Sequence, residues 1–137
     1  MNYWLVKSEP STYSWEKFEK DKKAVWDGVR NYAARNNMRA MKKGDLVFFY
    51  HSNEGLAIVG IAKVLKEAYQ DPTTTDIAWS VVELAPVKSL KKPVTLSELK
   101  ADKTLASMQI VRLSRLSVSA VTSDEFEKVL KMSETKL

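Results

Sequence analysis

The chain of 137 residues carries a formal net charge of +5 and contains no cysteine. Its length suits one domain spanning residues 1–137, and 45% hydrophobic with 28% charged residues is typical of a folded globular protein rather than a disordered or fibrous one. The absence of cysteine excludes disulfides, thiolate metal sites and a cysteine nucleophile. The positive excess lies in residues 1–43, where ten Lys and Arg face five Asp and Glu, and it permits electrostatic attraction to nucleic acid.

The first residues of the chain and its hydropathy give no sign of export or of membrane insertion. Residues 1–10 contain a short apolar run with no basic region before it, unlike a secretory signal peptide. No stretch approaches the roughly 20 apolar residues that a membrane-spanning helix needs. No basic, disordered segment precedes Tyr3, so we expect a cytoplasmic protein that does not contact membrane, or a nuclear one if the source is eukaryotic.

The start of the chain predicts a strand, a helix and a turn. Residues 3–7 are apolar and aromatic and are followed by Ser-Glu-Pro, which indicates a buried strand ended by proline. Ser14 is suited to cap a helix that runs to about residue 22. The apolar pair Val25-Trp26 then precedes the turn dipeptide Asp27-Gly28.

Residues 31–43 predict a second helix with one apolar and one basic face. Its apolar residues recur at the i, i+4, i+7 spacing of a buried helical stripe: Ala34, Met38 and Met41. Basic residues share this spacing one position further on and line the adjacent face: Arg35, Arg39 and Lys42. Gly44 suits the left-handed position that follows a helix, so we expect the helix to end there.

The middle of the chain predicts three buried strands. Continuous apolar runs, typical of strands covered on both faces, occupy residues 46–50, 56–64 and 79–87. A polar turn at residues 51–55 separates the first two, and a Thr-rich loop at 70–76 precedes the third. Gly60 inside the second run indicates a β-bulge or a close approach of another group to the backbone.

The C-terminal third predicts two short helices around one strand. Thr95 and Thr122 each precede a Glu by three residues, a capping-box pattern that marks helices at 96–101 and 123–131. The partial alternation of residues 112–118 indicates a final strand. Strands outnumber helices and follow one another through turns, so the fold class is α+β, a small curled sheet or barrel flanked by helices.

Catalytic chemistry has few candidate residues. His51 is the only histidine, which excludes two-histidine acid–base chemistry and histidine-rich metal sites. A Ser-His-Asp triad could combine it with Ser8 or Ser52 and with Asp27 or Asp45, but no nucleophile-elbow motif supports one. The glycines match neither P-loop nor dinucleotide-binding spacing. We therefore expect no catalysis, no cofactor and no bound metal, and His51 is interpreted as capping a strand or hydrogen-bonding in a pocket.

Residues 22–43 are suited to binding nucleic acid. Seven basic residues stand there against one acid, Asp27: Lys22, Lys23, Arg30, Arg35, Arg39, Lys42 and Lys43. Such an excess neutralises phosphates and releases counterions, although a solvated helix face gives the same pattern. Trp26 lies beside a turn and polar residues rather than in an apolar run, so it is favoured to stack on an unpaired or flipped base. Side chains of the right type to hydrogen-bond the base edge are Ser8, Asn31 and His51.

Five sequence blocks together resemble the EVE domain family: YWLVKSEP at 3–10, WDGVRNYAARNNMRAMKKGD at 26–45, FFYHS at 48–52, VGIAKV at 59–64 and RLSRLSV at 112–118. The resemblance covers essentially the whole chain. It implies a PUA-like fold, a small curved β-barrel with helices around it, and kinship with YTH readers of methylated adenine and with ASCH domains. In these relatives a pocket at the barrel mouth accepts a modified base, and EVE domains are linked to modified cytosine in DNA or to modified RNA.

The resemblance implies a base pocket built from three of the blocks: Lys7, Ser8, Trp26, Val29, Arg30, Asn31, His51 and Ser52. Trp26 would form the stacking wall, Asn31 would read the base edge, and residues 51–52 would close the opposite side. The helix that follows would hold the flanking phosphates through Arg35, Arg39, Lys42 and Lys43.

The leading hypothesis is therefore a monomeric, non-catalytic module that binds DNA or RNA carrying a modified base. One alternative is an enzyme or enzyme subunit acting on a nucleic-acid or nucleotide substrate, with His51 as its general base. Another is an interaction domain whose pocket holds a small ligand or stays empty.

Overall fold

A computed structural model describes all residues from Met1 to Leu137. Six strands follow one another along the chain: Tyr3–Ser8 (β1), Ala24–Trp26 (β2), Leu46–His51 (β3), Ala57–Gln70 (β4), Ser80–Thr95 (β5) and Val118–Val121 (β6). Five α-helices lie between or after them: Trp15–Asp21 (α1), Tyr32–Ala40 (α2), Leu96–Ala101 (α3), Gln109–Arg112 (α4) and Ser123–Met132 (α5). A short 3-10 turn at Lys103–Leu105 lies between α3 and α4.

All six strands belong to one sheet, in the order β2-β5-β4-β3-β1-β6. β1 and β3 are parallel, and every other neighbouring pair is antiparallel. Register shifts interrupt the β3–β4 and β4–β5 ladders, and such bulges bend and twist strands, so the sheet is curved. The predicted α+β class is confirmed. The sheet is open, with β2 and β6 at its edges, and the ladders do not show closure into a barrel.

Apolar side chains cover both faces of the sheet. Successive residues of β1 point to opposite sides, so Trp4 and Val6 join one core cluster and Leu5 joins the other. The first cluster includes the buried faces of α1 and α2, and the second includes those of α3, α4 and α5. This confirms the prediction that the continuous apolar runs are strands buried on two sides. None of the five helices has the length and apolar character that a bilayer crossing requires.

Helix α2 ends three residues earlier than predicted. Met41 is buried as expected, but its backbone is extended (φ −64°, ψ 139°) and it follows the helix rather than belonging to it. The buried carboxylate of Asp45 accepts a hydrogen bond from the Lys42 backbone N–H at 3.0 Å, and the Gly44 N–H donates to the carbonyl oxygen of Val64 at 2.9 Å. These bonds, one to the residue before β3 and one to β4, replace the last helical turn.

Two strand predictions need correction. β4 and β5 are much longer than the apolar runs at 56–64 and 79–87, because their polar ends pair with each other across the bulges. The prediction of a strand over residues 112–118 was wrong, because residues 109–112 are helical and the strand begins only at Val118. Leu113 is 43% exposed, so the alternation there does not mark a buried face. Both capping boxes are present as predicted.

Gly60 meets both expectations raised by its position in a strand. The β4–β5 register shifts between Ile58 and Gly60, which is a bulge. A Cβ atom at this position would collide with the indole ring of Trp15, so α1 packs directly on the strand backbone. The close packing of α1 helps to fix the loop before it, which leads to the site described next.

Candidate functional site

One cavity of about 790 Å³ opens between the end of β1, the loop before α1, and β2 with the turn that follows it. This volume lies in the range of small-molecule sites, roughly 300 to 1,000 Å³. Its lining consists of Lys7, Ser8, Glu9, Thr12, Tyr13, Asp21, Lys23, Ala24, Val25, Trp26, Asp27, Gly28, Val29, Arg30 and Ser117. Five of the eight residues that we predicted for a base pocket are therefore together here: Lys7, Ser8, Trp26, Val29 and Arg30.

Trp26 is a half-buried wall of this cavity. Its ring packs edge-on against three other aromatic rings, with centroid distances of 5.7 Å to Phe49, 6.3 Å to Tyr13 and 6.4 Å to Phe18. Edge-to-face contacts of this kind fix the orientation of a ring. The indole therefore keeps one orientation in which part of its surface remains open to the cavity.

Tyr13 is a second aromatic residue of the lining. Its hydroxyl donates to a carboxylate oxygen of Asp21 at 3.0 Å. Burial, together with this hydrogen bond and the negative charge of Asp21, raises the pKa of the phenol to about 12, so the ring stays neutral. The backbone carbonyl of Tyr13 accepts a hydrogen bond from the Ser8 hydroxyl at 2.6 Å, which joins the end of β1 to the loop before α1.

The turn after β2 is held by a buried carboxylate. Gly28 has a left-handed conformation (φ 73°), and its N–H donates to Asp71 at 3.1 Å. The Arg30 guanidinium donates to the same oxygen at 2.9 Å, while the N–H and the hydroxyl of Thr73 donate to the other oxygen at 2.7 and 2.6 Å. Burial opposes ionisation of Asp71, but these hydrogen bonds outweigh it and hold its pKa well below the usual range.

Charges around the cavity balance. Three cationic side chains and three carboxylates line it: Lys7, Lys23 and Arg30, with Glu9, Asp21 and Asp27. Lys7 donates to the Ser114 carbonyl at 2.7 Å, and burial lowers the pKa of its ammonium group. A cavity with no net charge is suited to a neutral ligand group rather than to a phosphate.

The other three predicted base-binding residues do not line this cavity. Asn31 is the N-cap of α2, and its Oδ1 accepts from the Ala34 N–H at 2.9 Å. His51 Nε2 accepts from the backbone N–H of Trp15, the first residue of α1, at 3.1 Å. Ser52 lines a smaller cavity of about 210 Å³, which also has Lys7 in its lining.

His51 has the geometry of a structural residue. Its ring packs edge-on against Phe49, and burial lowers its pKa despite the opposing charge of Glu16, so the imidazole is neutral and acts as an acceptor. No triad forms around it. Ser8 donates to Tyr13 instead, and the Asp45 carboxylate accepts from the Trp4 indole N–H and from backbone N–H groups.

The four predicted phosphate ligands lie along α2 and just after it. Arg35 and Arg39 both donate to the carbonyl oxygen of Ala78, at 3.1 and 3.2 Å, so part of their hydrogen-bonding capacity holds the loop before β5. Arg39 Nη1 has no partner within the chain. Lys42 and Lys43 are exposed, and neither side chain forms an ion pair.

Sequence reasoning missed Tyr13 and Asp71. Tyr13 lies in a polar loop, where nothing marks an aromatic ring as a cavity wall. Asp71 is in the loop that we predicted from its Asp-Pro dipeptide, but the two partners that it holds across the fold, Arg30 and Gly28, are 41 and 43 residues away along the chain. Such pairing leaves no local pattern in a single sequence.

One solved structure shares this fold at low sequence identity. The YTH domain of Zygosaccharomyces rouxii MRB1 protein, solved in complex with N6-methyladenosine RNA, superposes with a TM-score of 0.63 over 99% of this chain and 88% of that one. The two sequences are only 14% identical, so this likeness concerns the fold alone.

Three relatives are much more similar. Mouse thymocyte nuclear protein 1 is 40% identical over 98% of this chain and 75% of its own length. The structure of protein Atu2648 from Agrobacterium tumefaciens has a TM-score of 0.96 at 46% identity, covering 98% of this chain and 94% of that chain. Human THYN1 protein, solved in complex with DNA containing 5-methylcytosine, has a TM-score of 0.92 at 34% identity and covers 100% of both chains. Residues 2–132 match the EVE domain, and the chain belongs to the EVE domain family.

Proposed function

We propose that this chain is a non-catalytic module, a single PUA-like domain over residues 1–137, that recognises a modified nucleobase in DNA or RNA. The observation that carries the proposal is the 790 Å³ cavity with Trp26 as a wall and no net charge in its lining. Support comes from the human relative, whose solved chain is covered in full by the match and was crystallised with DNA containing 5-methylcytosine. The curved sheet would form the PUA-like scaffold that carries this cavity.

Trp26 would stack on the captured base, and Tyr13 would contact it from a second side. Backbone groups are available to read the base edge, because the N–H groups of Val29 and Arg30 have no acceptor within the chain. Both residues belong to the turn that Asp71 holds in place. Preorganised donors of this kind favour one arrangement of acceptors on the base over another.

In this proposal Asn31 contacts the ligand directly, whereas His51 supports the site from outside the cavity. The Asn31 amide nitrogen makes no hydrogen bond within the chain, so it stays available at the exposed residue that follows Arg30. His51 would act indirectly, because its bond to the Trp15 N–H holds the start of α1 beside the cavity. We keep Ser52 as a proposed contact for the part of the ligand that reaches the smaller cavity.

Binding to a panel of oligonucleotides tests the proposal. Single-stranded and duplex DNA and RNA, each with and without 5-methylcytosine or N6-methyladenosine, would be titrated against the protein at one salt concentration. One modified member should bind more tightly than its unmodified counterpart. Equal affinity for all members would contradict the proposed function.

The role of Trp26 is tested with a matched pair of variants. Trp26→Ala should weaken binding of the preferred oligonucleotide by about 1 to 3 kcal/mol, or about 5- to 140-fold, and reduce discrimination against the unmodified one. Trp26→Phe keeps an aromatic face and should lose less binding affinity than Trp26→Ala. Circular dichroism would verify that both variants remain folded. A folded Trp26→Ala protein with the discrimination of the parent would remove this residue from the site.

A further inference from the structure

Two aromatic side chains outside the cavity form a partly exposed pair. Tyr32 is the first residue of α2 and is 60% exposed, and Trp79 ends the loop before β5 and is half-buried. Their ring centroids are 5.0 Å apart, with 31° between the ring planes. This pair is named the Tyr32–Trp79 platform. Neither residue lines the cavity, so a base held in the cavity would not contact these rings.

One arginine guanidinium lies over each ring of the platform. The guanidinium carbon of Arg30 lies 5.5 Å from the centre of the Trp79 ring, and that of Arg35 lies 4.9 Å from the centre of the Tyr32 ring. Surfaces that bind single-stranded nucleic acid combine these two features, since rings stack on bases while cations follow the phosphates. Arg30 also lines the cavity, so the platform continues directly from the cavity rim.

The loop that carries Trp79 is already ordered. Arg35 and Arg39 donate to the carbonyl oxygen of Ala78, and the side-chain amide of Gln70 donates to three further carbonyl groups of residues 71–76. Binding to an ordered surface loses less conformational entropy than binding to a mobile one. The platform is therefore a preformed surface rather than a side effect of a loose loop.

We propose that the Tyr32–Trp79 platform stacks on the unpaired base of a nucleotide next to the one held in the cavity. This inference rests on the proposed function and extends it, because it requires the strand to be unpaired beside the captured base. The aromatic face binds the base without reading its identity, since every base has a π face. The platform therefore adds affinity for single strands without adding sequence preference.

A cycle of protein and DNA changes tests the platform. One ligand is a short single-stranded DNA with a central 5-methylcytosine, and the other is the same strand with abasic sites on both sides of that nucleotide. Tyr32→Ala should weaken binding of the first ligand at least about fivefold and leave binding of the second unchanged. Tyr32→Phe is the matched control and should bind the first ligand as the parent does. Because Tyr32 is a surface residue, the Ala variant should keep the fold, which thermal melting would verify.

Two results would overturn the inference. One is equal binding of the first ligand by the parent and by Tyr32→Ala, and the other is the same loss with both ligands, which would indicate an effect that needs no flanking base. Failure of the proposed function gives a different result. In that case the parent binds methylated and unmethylated strands with equal affinity. Tyr32→Ala still binds both strands more weakly than the parent does, and the parent and the variant bind the strand with abasic sites equally.

Discussion

The Arg30 guanidinium lies 2.9 Å from the carboxylate of Asp71, and this contact ties the turn after β2 to the loop between β4 and β5. Asp71 is fully buried, whereas the Arg30 side chain is 40% exposed. The same carboxylate holds the Gly28 N–H. One wall of the cavity therefore depends on a residue that does not line it.

Asp71→Asn should destabilise the protein and weaken binding. The amide keeps the size of the side chain but replaces one acceptor by a donor, which leaves the Gly28 N–H, Arg30 or Thr73 without a partner. Loss of such buried hydrogen bonds costs about 1 to 3 kcal/mol. Urea denaturation would measure the stability, and titration with methylated DNA would measure affinity. Glu127→Gln, an exposed residue in α5, is the control and should change neither.

Acid should remove the contribution of ionised Asp71 to the stability of the parent. Asp71→Asn lacks this carboxylate and should not show that loss. Since the folded pKa is held below the ordinary value of 3.8, the ionised form stabilises the fold at all pH values above about 4. As the pH falls below that value, the unfolded chain takes up a proton that the folded chain resists, and stability declines. Denaturation midpoints measured down to about pH 3 should fall more steeply for the parent. Parallel curves would contradict this account.

Gly60→Ala should destabilise through a clash with Trp15. The added methyl group meets the indole ring, which is fixed by a hydrogen bond from its Nε1 to the Ser89 hydroxyl at 2.8 Å. Overpacking of this kind costs about 1 to 3 kcal/mol. Trp15→Phe makes room, so the double variant should be more stable than the sum of the two single changes predicts. Additive losses in thermal melting would indicate that the two side chains do not meet.

The contrast between Gly60 and Asp71 explains how much could be predicted from sequence. A glycine in an apolar strand, a Trp beside an Asp-Gly turn and a Thr-x-x-Glu cap are local patterns with local causes, and their secondary-structure consequences appear where expected. The bonds of Asp71 to Gly28 and Arg30 join residues more than 40 positions apart. The lengths of β4 and β5 were also missed, because bulged pairing of two polar segments has no periodic pattern.

His51 should make stability depend on pH near neutrality. Its lowered pKa means that, as the pH falls below the ordinary value of 6.5, the unfolded chain binds a proton before the folded one does, so stability declines. It is the only histidine, and no other side-chain type ordinarily titrates between about pH 5 and 7. His51→Gln should therefore flatten the stability profile in this range. If the variant keeps the slope of the parent, the pH dependence of stability comes from another group.

Phosphate binding after α2 should appear in the salt dependence of affinity. If Lys42 and Lys43 each neutralise one phosphate of a single strand, replacing both by Ala should reduce the magnitude of the slope of log K against log salt by about 1.4. Methylated and unmethylated strands should be weakened equally, because phosphate contacts position the strand without reading the base. Replacing Lys103 and Lys131, exposed residues of segments that pack on the other face of the sheet, removes the same charge and is the control. An equal change of slope in both double variants would reflect net charge alone, and no change in either would place the phosphates at Arg35 and Arg39 instead.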